Sequence, residues 1–92
     1  MIKVRYRPNF LRQYKKLPDD LKSEIKEKIE LFKEDSNNSM LRMHKLHGKI
    51  KGCLSFSVNY KYRIVFVWEE KNKIAALVAV GDHDMYSQIN IK

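Results

Sequence analysis

From His44 to Val67 the chain reads His-Lys-Leu-His-Gly-Lys-Ile-Lys-Gly-Cys-Leu-Ser-Phe-Ser-Val-Asn-Tyr-Lys-Tyr-Arg-Ile-Val-Phe-Val. The first half is a loop dense in Lys and His. In the second half, apolar positions 54, 56, 58 and 60 alternate with Ser55, Ser57 and Asn59, the period of a half-buried strand. A tight turn at Asn59 to Lys61 leads into Tyr62 to Trp68, which is largely apolar on both faces, as a central strand is. Within it Arg63 shares a face with Val65 and Val67, opposite Tyr62, Ile64, Phe66 and Trp68. A guanidinium keeps its charge there, so it must reach solvent, a carboxylate such as Glu69, Asp82 or Asp84, or a bound anion.

Working toward the carboxy terminus, Glu69 to Asn72 forms a turn and Ile74 to Val80 a further strand, which Gly81 breaks before Asp82-His83-Asp84-Met85-Tyr86. Toward the amino terminus, Ile2, Val4 and Tyr6 alternate with Lys3, Arg5 and Arg7, so residues 2–7 read as a strand that Pro8 ends. Asn9 is the expected cap of a short helix with Phe10, Tyr14 and Leu17 on one stripe. Asp19 or Asp20 is the expected cap of a second, in which Leu21, Ile25, Ile29 and Phe32 share a face and Glu24 pairs with Lys28. The run from Glu34 to Ser39 is a loop. The order is strand, helical hairpin, then three strands in succession. It predicts an α+β domain with both helices on one face of a mainly antiparallel sheet.

Length and charge bound what such a domain can do. The 92 residues carry 43% hydrophobic and 33% charged side chains with two prolines and three glycines, which excludes disorder and predicts one folded domain over 1–92. Such a chain buries roughly 60–65% of its unfolded surface, so function shares the surface of a single core. The longest apolar run, Ile74 to Val80, is far short of the ~20 residues a membrane-spanning helix needs. With one cysteine, Cys53, and no apolar leader after Met1, the expected setting is the cytoplasm, with no membrane partner. The net charge of +8 is unevenly spread: residues 1–18 and 39–63 carry +6 each without an acid, residues 19–38 carry −3, and residues 64–92 carry −1. Acid-free blocks brought together by folding attract a polyanion through phosphate neutralisation.

Four side chains suit chemistry on that polyanion. Arg63 offers charge to a phosphate. His83, just after a strand, suits proton transfer near neutral pH, and His44 in the basic loop is a second candidate. Tyr86 suits stacking or hydroxyl donation, whereas Tyr60 and Tyr62 fit core or edge packing. Three histidines and one cysteine at these spacings match no zinc signature, so no metal and no small-molecule cofactor is expected. Cleaving RNA without metal needs a base for the 2′-hydroxyl, an acid for the departing oxygen and cations for the phosphate, and these residue types supply all three.

The chain resembles the RelE/ParE superfamily of bacterial and archaeal toxin-antitoxin toxins over nearly its whole length. His44-Lys45-Leu46-His47-Gly48 is similar to that family's His-x-Leu-x-Gly loop, Tyr62-Arg63-Ile64-Val65-Phe66 to its Tyr-Arg-hydrophobic strand, and Gly81 to Tyr86 to its Gly-x-His-x-x-Tyr ending. The resemblance implies a ribosome-dependent mRNA endonuclease that inhibits translation and is held inactive by a cognate antitoxin. Under it, Arg63 stabilises the scissile phosphate, His83 leads proton transfer with His44 in reserve, and Tyr86 contacts base or backbone. Arg42, Lys45, Lys49, Lys51 and Lys61 contact mRNA or the ribosome. The general bases of two branches are replaced: a YafQ-like histidine and aspartate by Ser57 and Lys61, and a YoeB-like glutamate by Met40. The competing expectation within the same fold is a ParE-like non-enzymatic toxin that inhibits DNA gyrase.

Overall fold

The computed structural model describes residues 1–47 and 52–82. The first strand, β1, spans Lys3–Tyr6, two residues shorter than the alternation suggests. Its flanks bond elsewhere: the Ile2 amide donates to the Lys33 carbonyl at 3.0 Å, and the Arg7 amide donates to the Leu77 carbonyl at 3.0 Å.

The first helix, α1, spans Pro8–Lys15, with Arg7 at its cap position and no capping side chain. Proline suits the first turn, where its missing N–H has no helical partner to lose. Asn9 is therefore not the cap. Its Nδ2 donates to the Val78 carbonyl at 3.0 Å, and Gln13, one turn on, accepts the Val80 amide at 2.8 Å. The reason lies in the neighbouring sheet. The last strand, β5, spans Ile74–Gly81, and β1 pairs only with Ile74 to Leu77. Backbone groups left beyond that point need partners, and the i,i+4 spacing of Asn9 and Gln13 supplies them from one helix face.

The second helix, α2, spans Asp19–Glu34, with Pro18 as its cap residue and no side-chain cap, so the expectation of an aspartate cap is also corrected. Asp19 and Asp20 instead sit in the first turn, where the helix dipole favours negative charge. Leu21, Ile25, Ile29 and Phe32 are buried as the periodicity requires. Phe32 is fully buried at the centre of an aromatic cluster, stacked on Phe56 at 4.7 Å and edge-on to Phe66 at 4.9 Å between ring centroids.

A short 3-10 turn at Ser39–Leu41 follows, capped by Asn38, whose side chain accepts the Met40 amide at 2.9 Å. The strand β2, His44–Lys45, lies within what the sequence presents as loop. Two residues are too few to show a period, and only pairing with β3, Leu54–Ser57, reveals it. β3 ends before the expected Tyr60, because Asn59 Oδ1 accepts the amides of Lys61 at 2.9 Å and Tyr62 at 2.8 Å and closes the turn. Tyr60 is left 96% exposed at its tip, which corrects the packing expected of it. The central strand β4 is Arg63–Glu70, and Asn72, at φ 61°, turns it into β5.

The sheet has the order β1-β5-β4-β3-β2, antiparallel throughout except for the parallel β1–β5 pair. The main core lies between the helices and one sheet face, formed by Phe10, Ile25, Phe32, Phe56, Ile64, Phe66 and Leu77 among others. On the opposite face Cys53, Val65, Val78 and Ala79 form a second cluster with Leu46 and Val67 against it. Ser55 and Ser57, expected to face solvent, are buried as well. No helix among the described residues is long and apolar enough to cross a membrane.

Candidate functional site

Arg63 opens β4, paired with Ser57 on one side and Gly81 on the other. Val65 and Val67 belong to the second cluster while Ile64, Phe66 and Trp68 face the main core, so the expected division of the strand into two faces holds. The half-buried Arg63 donates from Nη1 to Ser57 Oγ at 2.6 Å. Glu69, one of the carboxylates considered for it, lies six residues away and pairs with Arg5 at 3.4 Å and Arg7 at 3.9 Å. Six strand residues separate the two by about 20 Å, beyond side-chain reach.

Arg63 opens onto a cleft of about 310 Å³ lined also by Lys28, Met40, Arg42, Ser57, Val58, Asn59 and Tyr60. Three cations from three elements meet there, and among the described residues the lining contains no carboxylate. The expected Glu24–Lys28 pair is not among the ion pairs of the described residues. Glu24 instead accepts Asn59 Nδ2 at 3.3 Å, tying α2 to the β3–β4 turn. Arg42 follows the 3-10 turn at φ 48° and ψ 55°, a left-handed conformation that costs a non-glycine residue roughly 1–2 kcal/mol. Three cations lining one cleft are complemented by an anion, which suits the cleft to a phosphate.

His44 is exposed on β2 opposite Ser55, which pairs with Val65. The pairing puts it on the sheet face of Ser57 and Arg63, two strands across and two residues along, about 12 Å from Arg63 between Cα atoms. A long guanidinium and an imidazole on that spacing can address one nucleotide from two sides. Lys45 is exposed beside it and lines a second cleft with Leu46, His47, Gly52, Cys53 and Leu54. Lys61 sits in the turn with Nζ 5.8 Å from the Tyr62 ring and does not line the Arg63 cleft. Lys49, Lys51, His83 and Tyr86 lie outside the described residues. Gly81, two residues before His83, lies directly opposite Arg63.

Three contributors escape a sequence reading: Lys28, Ser57 and Tyr60. Lys28 lies in the most acidic segment, yet its position seven residues after Leu21 places it on the flank of the buried stripe, and that was the available signal. Ser57 reads as solvent-facing polarity until its pairing with Arg63 is known. Burial pushes the Cys53 thiol above its ordinary pKa, against a smaller opposing pull from Arg7. Among the described residues no group of three or more His, Cys, Asp or Glu could hold a metal ion.

The element order, the five-stranded mixed sheet and the two helices on one face are the fold of RelE-like toxins. Solved structures sharing it include YafQ from E. coli, with a TM-score of 0.75 and 14% identity over 94% of this chain and 98% of that one. They also include the YoeB/ParE toxin from Agrobacterium tumefaciens, at TM-score 0.72 and 14% identity over 89% and 99% of the two chains. A third is the toxin-antitoxin complex RelBE2 from Mycobacterium tuberculosis, at TM-score 0.67 and 19% identity over 89% and 98%. No family model and no curated protein matches the sequence. At these identities the shared property is the fold.

Proposed function

We propose that the protein is the toxin of a type II toxin-antitoxin system, a ribosome-dependent endonuclease that cleaves mRNA and so inhibits translation in the cytoplasm. The observation that carries this reading is Arg63: a guanidinium tethered to Ser57 at 2.6 Å, facing a cleft that it shares with Lys28 and Arg42 and that no carboxylate lines among the described residues, within the RelE-like fold.

The reaction follows from what these residues offer. The 2′-oxygen attacks the adjacent phosphorus, its proton passes to a base, the bond to the 5′-oxygen breaks, and an acid protonates the leaving oxygen. The products are a 2′,3′-cyclic phosphate and a free 5′-hydroxyl. Arg63 neutralises charge on the phosphate as it builds, the kind of preorganised contribution that is commonly the largest in such sites. His83 is the proposed proton-transfer residue, with His44 the second, and Tyr86 contacts the substrate. Lys45, Lys49, Lys51 and Lys61 supply mRNA or ribosome contacts through their charge. The cognate antitoxin is a protein whose acidic surface complements the net +8, and the neighbour solved as a toxin-antitoxin complex supports such a partner.

The test is incubation with ribosomes programmed with a defined mRNA, followed by mapping of new 5′ ends. Cleavage that Arg63→Ala and His83→Ala abolish is expected. Growth inhibition that persists in those variants without cleavage, together with inhibited supercoiling by DNA gyrase, would establish the ParE-like mode instead.

A further inference from the structure

The cleft beside Arg63 contains more than one phosphate requires. Lys28 reaches it from α2 and Arg42 from the end of the 3-10 turn, and neither has a carboxylate within 4 Å among the described residues. Tyr60 stands at its rim, 96% exposed. That exposure is not looseness, because Asn59 pins the turn through two backbone amides and through Glu24 of α2. An aromatic ring held out on a fixed turn loses little conformational entropy when a flat group stacks on it. Met40 adds an apolar, adaptable wall. At about 310 Å³ the space is at the lower end of what small-ligand clefts occupy, enough for one nucleotide beyond the group at Arg63.

We infer that Lys28, Arg42 and Tyr60 form a nucleotide subsite for single-stranded RNA: the two cations seat the phosphate adjacent to the one at Arg63, and the Tyr60 ring stacks on the base between them. A stacking ring reads every base by its π-face, so this subsite contributes affinity and strand register rather than sequence choice. Two cations on a backbone phosphate likewise position without specifying. The ligand class rests on the RNA-cleavage reading, yet the subsite is tested by binding alone.

The experiment is fluorescence anisotropy of a labelled eight-nucleotide single-stranded RNA titrated with the full chain at several salt concentrations. Lys28→Gln and Arg42→Gln should each weaken binding severalfold and each lower the slope of log affinity against log salt by about 0.7. Tyr60→Ala should weaken it by about fivefold or more with the salt slope unchanged, and Tyr60→Phe should restore it, because stacking needs the ring and not the hydroxyl. Lys16→Gln, an exposed lysine outside the cleft, is the control and should change affinity less than twofold. Losses at Lys28 and Arg42 no larger than at Lys16 overturn the inference. So does a Tyr60→Ala variant that binds like the parent, or a parent that does not bind the octamer. If this binding pattern appears while programmed ribosomes are left intact, the subsite stands and the enzyme reading fails. Cleavage with flat binding across the variants removes the subsite alone.

Discussion

Ser57→Ala asks whether Arg63 is held by the sheet or only lies in the cleft. Ser57 is 6% exposed and its Oγ accepts from Arg63 Nη1 at 2.6 Å. A hydrogen bond to a charged donor contributes roughly 1.5–3 kcal/mol. The half-buried guanidinium regains some water when the hydroxyl is removed, which puts the expected loss at the lower end, about 1.5 kcal/mol. The whole fold of a chain this long is worth only about 5–14 kcal/mol. With a urea dependence of about 1 kcal/mol per molar, the unfolding midpoint should fall by about 1.5 M. Arg63→Ala strands the buried Ser57 hydroxyl but relieves repulsion with Lys28 and Arg42, so its net cost should be smaller, about 0–1 kcal/mol. The double variant should then reveal a coupling of about 1 kcal/mol between the two positions. In the programmed-ribosome assay, Arg63→Ala should lower the rate by about a hundredfold to a thousandfold. Ser57→Ala, which keeps the charge and loses its orientation, should lower the turnover rate by about tenfold with KM little changed. A coupling below about 0.3 kcal/mol, within the scatter of independent sites, combined with unaltered cleavage by Ser57→Ala, would refute the tether.

Gln13→Leu leaves the Val80 amide without its 2.8 Å partner and should cost about 1–3 kcal/mol, with faster hydrogen exchange at Val80. Phe32→Ala removes the ring stacked on Phe56 and edge-on to Phe66 and should cost about 3–5 kcal/mol, enough to leave much of the protein unfolded in thermal melts. Arg42→Gly relieves the left-handed backbone and should raise stability by about 0.5–1 kcal/mol in urea unfolding while it weakens RNA binding, a separation that an ordinary surface arginine would not give. Because burial raises the pKa of the folded Cys53 thiol above that of the unfolded chain, the unfolded chain releases that proton first. Stability from this group is complete below the unfolded pKa and declines as pH rises through it toward the folded value, and a Cys53→Ala variant should lack that alkaline decline in urea unfolding measured across pH.

The amphipathic period of α2, the alternation of β1 and the apolar β4 and β5 are local patterns, and they carry the α+β order because burial of each face is written into spacing along the chain. Arg63 was conspicuous for the same reason, as a charge among apolar strand residues. What the local pattern misjudged were places where distant chain supplies the partner. Asn9 looks like a helix cap but bonds Val78 across the domain, Ser57 looks solvated but lies beneath Arg63, and the β2 residues become a strand only by pairing with β3. Lys28 belongs to an acidic helix by sequence and to a cationic cleft by packing. The sequence by itself determined which faces are apolar and where charge accumulates, since both are properties of neighbours a few residues apart. Tertiary structure alone decided which cations meet and which polar groups satisfy one another, because those pairings join α2, the 3-10 turn and the β3–β4 turn, whose separation along the chain no periodicity records.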